Sequence, residues 1–255
     1  MPLVTTTAGD LFVMRRGTTG VPLIFVHGAG GSGRHWGRLF ALLPPTVQFI
    51  AVDLPGHGRS PLAGPITIER YAEQIAALHQ ALTLPPALII GHSMGGAIAL
   101  QLAITTPQIV AGLGLFGSAA RLRVAPALLD GLAGDEATRQ ATITTLVTWL
   151  FSPAADPTLF AEARAEYAAL DPAILLADFQ ACDGFDVRNR LGDIHCPALV
   201  ITGSDDRLTP PKLGAELASG LGVPHHLLVN VGHMPMLEAP DQLSELLREW
   251  LTTLA

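Results

Sequence analysis

Several short stretches of this chain carry residues that together could break an acyl bond, and each stands at the end of an apolar burst. Gly91-His92-Ser93-Met94-Gly95-Gly96 follows the burst Ala87–Ile90 and precedes a helical stretch beginning near Ala97. A serine on a sharp strand-to-helix turn has its hydroxyl pushed outward, and glycines on either side remove side chains that would collide with the neighbouring strand and helix. Serine is a weak nucleophile at neutral pH, so it needs a base within hydrogen-bond reach, and the base needs a third group to fix its tautomer. His233 closes Val229-Asn230-Val231-Gly232-His233 just before Met234-Pro235, which places it on a loop after a strand as the candidate base. Asp205 and Asp206 stand on the loop after Leu199-Val200-Ile201-Thr202, and one of them is expected to orient the histidine. Attack at an acyl carbon also needs N–H donors aimed at the oxyanion that forms. His27-Gly28-Ala29-Gly30-Gly31-Ser32-Gly33, after Leu23–Val26, offers a flexible backbone for this, with the amides of Ala29 and Met94 as the expected pair.

These residues must be held at one edge of a common scaffold, and the patterning says which. The bursts Leu23–Val26, Phe49–Val52, Ala87–Ile90 and Leu113–Phe116 are each bounded by Gly, Pro, Asp or His and read as strands buried on both faces. Between them lie helical spacings: Tyr71, Ile75, Leu78 and Leu82 recur at three- and four-residue steps over Ile68 to Leu82, behind Thr67 as a cap, and Ala97 to Thr105 reads as another helix. Alternating strand and helix predicts an open parallel sheet covered by helices on both faces. At the start, Leu3 to Thr7 and Leu11 to Arg15 flank Gly9-Asp10, which predicts an antiparallel pair joined by a tight turn. Two late strands, Ala198–Thr202 and Leu227–Val231, and a last helix from about Asp241 to Leu254 complete the sheet layer, with Leu243, Leu246, Leu247, Trp250 and Leu251 on the helix's apolar face. The stretch from about Ser118 to Arg190 breaks the rhythm: it is rich in Ala, Leu and helix formers, and it predicts a helical cap, with residues 119–189 inserted into a core of 1–118 and 190–255.

Composition narrows the function further. The 255 residues are 49% hydrophobic and 15% charged, with mean hydropathy +0.40, which excludes a disordered chain and allows a large core. A net charge of −7 with scattered Lys and Arg leaves no basic stripe, so nucleic acid is not an expected partner. Cys182 and Cys196 have neither metal spacing nor the number for a disulfide framework and read as small buried hydrophobes, so a reducing cytoplasm is expected. The N-terminal Met1-Pro2-Leu3-Val4-Thr5-Thr6-Thr7 lacks a basic segment followed by an apolar one, and no run reaches membrane-spanning length, so neither a secretory signal nor a membrane partner is expected. His225-His226 lacks ligand spacing, and no metal or other cofactor is expected.

With the motifs assembled, the chain resembles the α/β-hydrolases over nearly its whole length outside the predicted cap. The resemblance rests on His27-Gly28-Ala29 as the oxyanion loop, Asp53-Leu54-Pro55-Gly56-His57-Gly58-Arg59-Ser60 as the family's structural turn, Gly91–Gly95 as its nucleophile elbow, and the chain order serine, acid, histidine. It implies an α/β-hydrolase fold, mostly parallel and open, with the helical cap inserted after the sixth strand. The family's acid stands three residues after a glycine and four before a proline; Gly203, Asp206 and Pro210 satisfy that spacing and Asp205 misses it by one, so the resemblance selects Asp206. It also implies that Asp53 and His57 brace loops. His27 reads as a brace of the oxyanion loop, and His92, since adjacent positions at a sharp turn point apart, as a packed, hydrogen-bonded residue and not a second base.

The expected activity is hydrolysis of small-molecule carboxylic esters through an acyl-Ser93 intermediate. Trp36, Trp149 and Phe151 are the expected substrate-facing side chains, and the apolar cap implies small to medium, mainly uncharged substrates. Relatives with the same triad also cleave lactones, thioesters and carbon–carbon bonds, and Arg121, Arg123, Arg139 and Arg164 are candidates to hold a substrate carboxylate. A serine at position 93 sets aside the dehalogenase and epoxide-hydrolase chemistries, which need aspartate there. A ligand-binding protein of the same fold with little turnover is the alternative of a different class, and it has no need of the complete set of catalytic parts.

Overall fold

The computed structural model describes residues 3–254; Met1, Pro2 and Ala255 lie outside the described residues, and with them the first two residues of the N-terminal stretch read above. In chain order the elements are β1 (Leu3–Thr6), β2 (Gly9–Arg16), β3 (Pro22–Val26), α1 (Gly37–Leu42), β4 (Gln48–Val52), α2 (Ile68–Ala81), β5 (Ala87–His92), α3 (Met94–Thr105), β6 (Val110–Phe116), α4 (Pro126–Ala133), α5 (Glu136–Leu150), α6 (Pro157–Ala169), α7 (Pro172–Asp183), β7 (Ala198–Gly203), α8 (Pro211–Leu221), β8 (His225–Leu228), α9 (Pro235–Glu238) and α10 (Pro240–Thr253). The strands form one eight-stranded sheet in the order β1-β2-β4-β3-β5-β6-β7-β8. Pairings β1–β2 and β2–β4 are antiparallel, and every other pair is parallel.

The central strands are apolar along their whole length because both faces are covered. Every residue of β3, β4, β5 and β7 is buried, as expected where crossover helices pack on each side of a parallel sheet. Helix α2 begins where the sequence places it: Thr67 is extended and its side chain accepts a hydrogen bond from the Arg70 amide, while Tyr71, Ile75 and Leu78 are buried. Helix α10 buries Leu243, Leu247 and Trp250, and leaves Leu246 and Leu251 half-buried at the margin of its apolar face.

The first hairpin differs from expectation in its turn. Thr6 pairs with Gly9, so Thr7-Ala8 make the turn and Gly9-Asp10 belong to β2. The Thr6 side chain explains the placement, because its hydroxyl donates to the Gly9 carbonyl and accepts from the Ala8 amide, closing the turn ahead of the glycine. Strand β8 also runs earlier than expected, at His225–Leu228. Asn230 has a positive φ of 58° that ends the extended run, freeing 229–233 to form a loop above the sheet edge.

Between β6 and β7 the chain leaves the sheet to form helices α4 to α7. The departing and returning strands meet at a neck, where the Val187 amide donates to Ala120 O and the Leu122 amide to Phe185 O. Helices α5, α6 and α7 each start behind an aspartate (Asp135, Asp156 and Asp171) whose side chain accepts an amide of the first turn.

Helix α3 crosses the sheet at a separation only glycine permits. A Cβ on Gly95 would collide with the Val26 carbonyl of β3, and one on Gly91 with the Gly95 carbonyl. Gly95→Ala is therefore expected to cost about 1–3 kcal/mol or more by overpacking, and Thr67→Ala about 1 kcal/mol by loss of the cap. Urea denaturation checks both, and a Gly95→Ala variant as stable as the parent would contradict the close crossing.

Candidate active site

Ser93 occupies the turn between β5 and α3 with φ 53° and ψ −117°. This backbone conformation is costly for a residue with a side chain. Its surroundings hold it: the Ser93 amide donates to Phe116 O at 2.9 Å, and its carbonyl accepts from the amides of Gly96 and Ala97 and from Ser118 Oγ at 2.9 Å. The hydroxyl is thereby displayed at the carboxyl end of the sheet, in a cavity of about 150 Å³ that His233 also lines.

The histidine and the acid meet from two loops after neighbouring strands. His233 Nδ1 lies 2.9 Å from Asp206 Oδ2, with the two side chains 3% and 0% exposed. Burial to this degree keeps water from competing for the carboxylate. Asp206 also accepts from the amides of Leu208 at 2.9 Å and Thr209 at 2.8 Å, and from Thr209 Oγ1 at 2.7 Å. A carboxylate supplied with this many donors is fixed in direction, which favours the His233 tautomer that carries its proton on Nδ1 and leaves Nε2 free as an acceptor. Asp205 points elsewhere: Oδ2 accepts from Ser152 Oγ at 2.6 Å and Oδ1 from Ser204 Oγ at 3.0 Å.

The backbone of His233 is pinned on both sides. Its amide donates to Leu150 O, at the end of α5, and its carbonyl accepts from His92 Nε2 at 2.7 Å. Burial holds the His92 pKa well below the ordinary histidine value, with the neighbouring His233 adding to the effect. His92 is thus a neutral donor, bracing the loop rather than exchanging protons. Glu238 ties the same loop by accepting the amides of Gly232 and Met234, and it reaches Ser152 N as well.

The Ala29 and Met94 amides, expected as oxyanion donors, are buried and have no acceptor among the described residues. A buried unpaired N–H is uncommon and calls for a reason. The loop carrying Ala29 is held by the Asp53–Ser60 turn. Asp53 accepts from Gly33 N at 2.7 Å and Arg59 N at 2.9 Å, while Ser60 Oγ donates to Asp53 O at 2.6 Å. His27 Nε2 accepts from Leu54 N at 3.0 Å, so its proton is on Nδ1, 2.8 Å from Gly28 O. Burial, reinforced by His57, lowers its pKa well below the ordinary value and keeps it neutral.

The expected substrate-facing residues divide. Trp149 lines the cavity with Leu122, Leu128, Tyr167 and Phe179, and the exposed Arg123 and Arg207 complete its wall. Trp36 and Phe151 do not line it. Trp36 ends a short 3-10 turn after the glycine-rich loop and is fully buried, with Phe25 at 5.1 Å and Phe116 at 6.2 Å between ring centroids. Phe151 packs on Phe160 with ring centroids 5.0 Å apart, tilted at 57°, and its backbone lies against Gly232, where the chain turns extended after Leu150. Arg121 pairs with Asp186, and Arg139 with Glu136, outside the cavity.

Motif spacing did not single out Thr209, Glu238, Tyr167 and Asp178. Only Asp178 left a signal: it interrupts the row Ile174, Leu175, Phe179, Cys182 on α7, a charge on an otherwise buried helix face. Among the described residues no group of three or more His, Cys, Asp or Glu is placed to hold a metal ion, and no helix is long and apolar enough to cross a membrane.

Comparison with known proteins follows the same lines. The chain is 31% identical over 238 residues to the pimeloyl-[acyl-carrier protein] methyl ester esterase of Neisseria meningitidis, covering 89% of this chain and 91% of that protein. It is 33% identical over 274 residues to Lipase LipV of Mycobacterium tuberculosis, covering 95% and 98%. Among solved structures it resembles a thermophilic esterase from Thermogutta terrifontis (TM-score 0.88, 25% identity, 99% of this chain and 98% of that one) and an N-acyl homoserine lactone degrading enzyme (TM-score 0.85, 26% identity, 97% and 99%). The alpha/beta hydrolase family matches over residues 23–246, and with the eight-stranded sheet and the strained serine turn this makes the chain a member of the alpha/beta hydrolase family.

Proposed function

We propose that this protein is a serine hydrolase that cleaves carboxylic esters of small to medium, mainly apolar acyl groups. The observation that carries the reading is the convergence, on one cavity, of Ser93, of a His233 oriented by buried Asp206, and of Ala29, whose amide has no acceptor among the described residues. Residues 119–189 act as a cap on this reading, since Leu122, Leu128, Trp149, Tyr167 and Phe179 from that segment line the cavity. The relatives' names support the choice of esters as the substrate class.

In the proposed reaction, His233 Nε2 takes the Ser93 proton as Oγ bonds to the acyl carbon, and the carbonyl π pair moves onto oxygen between the Ala29 and Met94 amides. Among the described residues Ser93 Oγ has no hydrogen bond to His233, and the contact tightens when the substrate is bound. Collapse of the adduct breaks the bond to the alkoxy oxygen, which leaves with the proton from His233. Water, deprotonated by His233, then attacks the acyl-Ser93 carbon; collapse breaks the bond to Ser93 Oγ, which takes the proton back from His233, and the acid is released. Asp206 stays ionised throughout and stabilises the imidazolium. Lactones are a second reading, favoured by the likeness to the lactone-degrading enzyme, and ring opening uses the same steps with the leaving alkoxide retained in the product.

Hydrolysis of p-nitrophenyl esters tests the reading. Wild-type turnover should fall by about 10⁴ or more in kcat for Ser93→Ala and by about 10⁴ for Asp206→Asn, and by at most about tenfold for Asp205→Asn, which disturbs only the bonds to Ser152 and Ser204. Equal losses in the two aspartate variants would contradict the assignment of the acid. A cavity of about 150 Å³ holds a group of roughly benzene size, so acetyl to butyryl esters should lead, and Trp149→Ala should shift the optimum towards longer acyl chains. Lactone kcat/KM exceeding that of every open-chain ester would favour the second reading, and no turnover of either class would overturn both.

A further inference from the structure

The oxyanion loop is gripped from the segment between β6 and β7 as well as from the sheet, and the grip falls on the two peptide groups that flank Ala29. The first is Gly28–Ala29. Its carbonyl accepts from His27 Nδ1 at 2.8 Å and from the Gly31 amide at 3.1 Å. A trans peptide is planar, so holding the Gly28 carbonyl fixes the Ala29 N–H in the opposite direction. The second is Ala29–Gly30. Tyr167 Oη donates to its carbonyl at 3.0 Å, and its N–H donates to Asp178 Oδ2 at 2.9 Å. Tyr167 comes from α6 and Asp178 from α7. One peptide plane is thus held at both ends by side chains that belong to neither the loop nor the sheet.

Asp178 is itself placed with little freedom. It is fully buried; Oδ2 also takes His57 Nε2 at 2.8 Å, and Oδ1 takes Tyr71 Oη at 2.9 Å. His57 Nδ1 lies 3.1 Å from Pro55 O, so both ring nitrogens face acceptors, the arrangement of an imidazolium paired with a carboxylate. Burial opposes that charge, but Asp178 together with the Pro55 carbonyl raises the His57 pKa. Glu166, the neighbour of Tyr167, extends the grip to Ser32 Oγ at 3.0 Å and His35 Nε2 at 2.9 Å. Gly30 sits at φ 67° with no room for a Cβ, which would meet Tyr167 and Leu175 at 2.7 Å, so the loop and the two helices are fitted to each other.

We infer that Asp178 and Tyr167 are positioning residues of the oxyanion hole: α6 and α7 aim the Ala29 amide by fixing the Ala29–Gly30 peptide. This rests on the reading of the site as an acyl-transfer centre. It follows that α6 and α7 cannot swing away from the sheet without releasing the hole. An amide aimed at the oxyanion acts on the transition state and leaves ground-state binding untouched.

The test compares Asp178→Asn and Tyr167→Phe with wild type in ester turnover and in inhibition by a trifluoromethyl ketone, whose tetrahedral adduct carries an oxyanion. Losing a whole oxyanion donor costs about 10²–10³ in kcat; misaiming one should cost about 10- to 100-fold in Asp178→Asn and about 3- to 10-fold in Tyr167→Phe, with KM within about twofold. The trifluoromethyl ketone Ki should weaken by the same factor as kcat/KM. If Asp178→Asn does not fold, Tyr167→Phe carries the comparison alone, since it removes one hydroxyl and keeps the ring. Unchanged kcat and Ki with a lowered Tm would reduce the network to a structural brace and overturn the inference. Absence of ester turnover in the wild type is a separate result, which would remove the acyl-transfer reading and this inference with it.

Discussion

The contact on which the molecule's arrangement turns is the close approach of α3 to β3 and β5. Gly91 and Gly95 have no side chains, and the Gly95 α-carbon packs directly on the Val26 carbonyl. This proximity forces the chain to reverse within a single residue, and Ser93 absorbs the reversal at φ 53°. The strain is confined because both flanking elements are rigid: β5 is hydrogen-bonded on both edges, and α3 is buried along most of its length. With the turn so tight, the first amide of α3, that of Met94, is left without an intrahelical partner directly after Ser93.

Around that turn the loops are held by buried polar bonds, each satisfying groups that would otherwise be costly to desolvate. Asp53 organises the 53–60 turn and reaches the glycine-rich loop, Glu238 collects three amides around His233, and Asp206 collects three donors besides the histidine. Polar side chains inside an apolar body give each loop one acceptable geometry, because any other leaves a buried group unpaired.

The helices between β6 and β7 take part in this network at two places. The end of α5 supplies Leu150 O to the His233 amide and is followed by Ser152, which binds Asp205, while α6 and α7 reach the glycine-rich loop at Ala29 and Gly30. The segment is therefore joined to the functional loops as well as resting on them. Its apolar residues serve two ends: Trp149 and Phe179 line the cavity, whereas Phe151 and Phe160 pack against each other.

The strands, the helices α2, α3 and α10, and the loops that carry Ser93, Asp206 and His233 were legible in the sequence because each depends on local rules, while the folded structure shows Asp206 and not Asp205 beside His233. Apolar runs bounded by breakers make buried strands, a capped period of three to four makes a helix, and glycines two residues either side of a serine mark a tight turn. Side-chain direction was not legible where tertiary packing decides it. Trp36 follows the oxyanion loop and Phe151 follows Trp149 by two, yet both rings are drawn into aromatic clusters away from the cavity. The hairpin turn moved to Thr7-Ala8 because a threonine hydroxyl closes it, a competition that spacing does not register. Asp178 and Tyr167 meet Gly30 and Ala29 across 148 and 138 residues of chain. Contacts at such separation have no periodicity to betray them; the sequence alone determined which residues could do chemistry and on which elements they sit, and only the folded packing decided which distant side chains hold them in place.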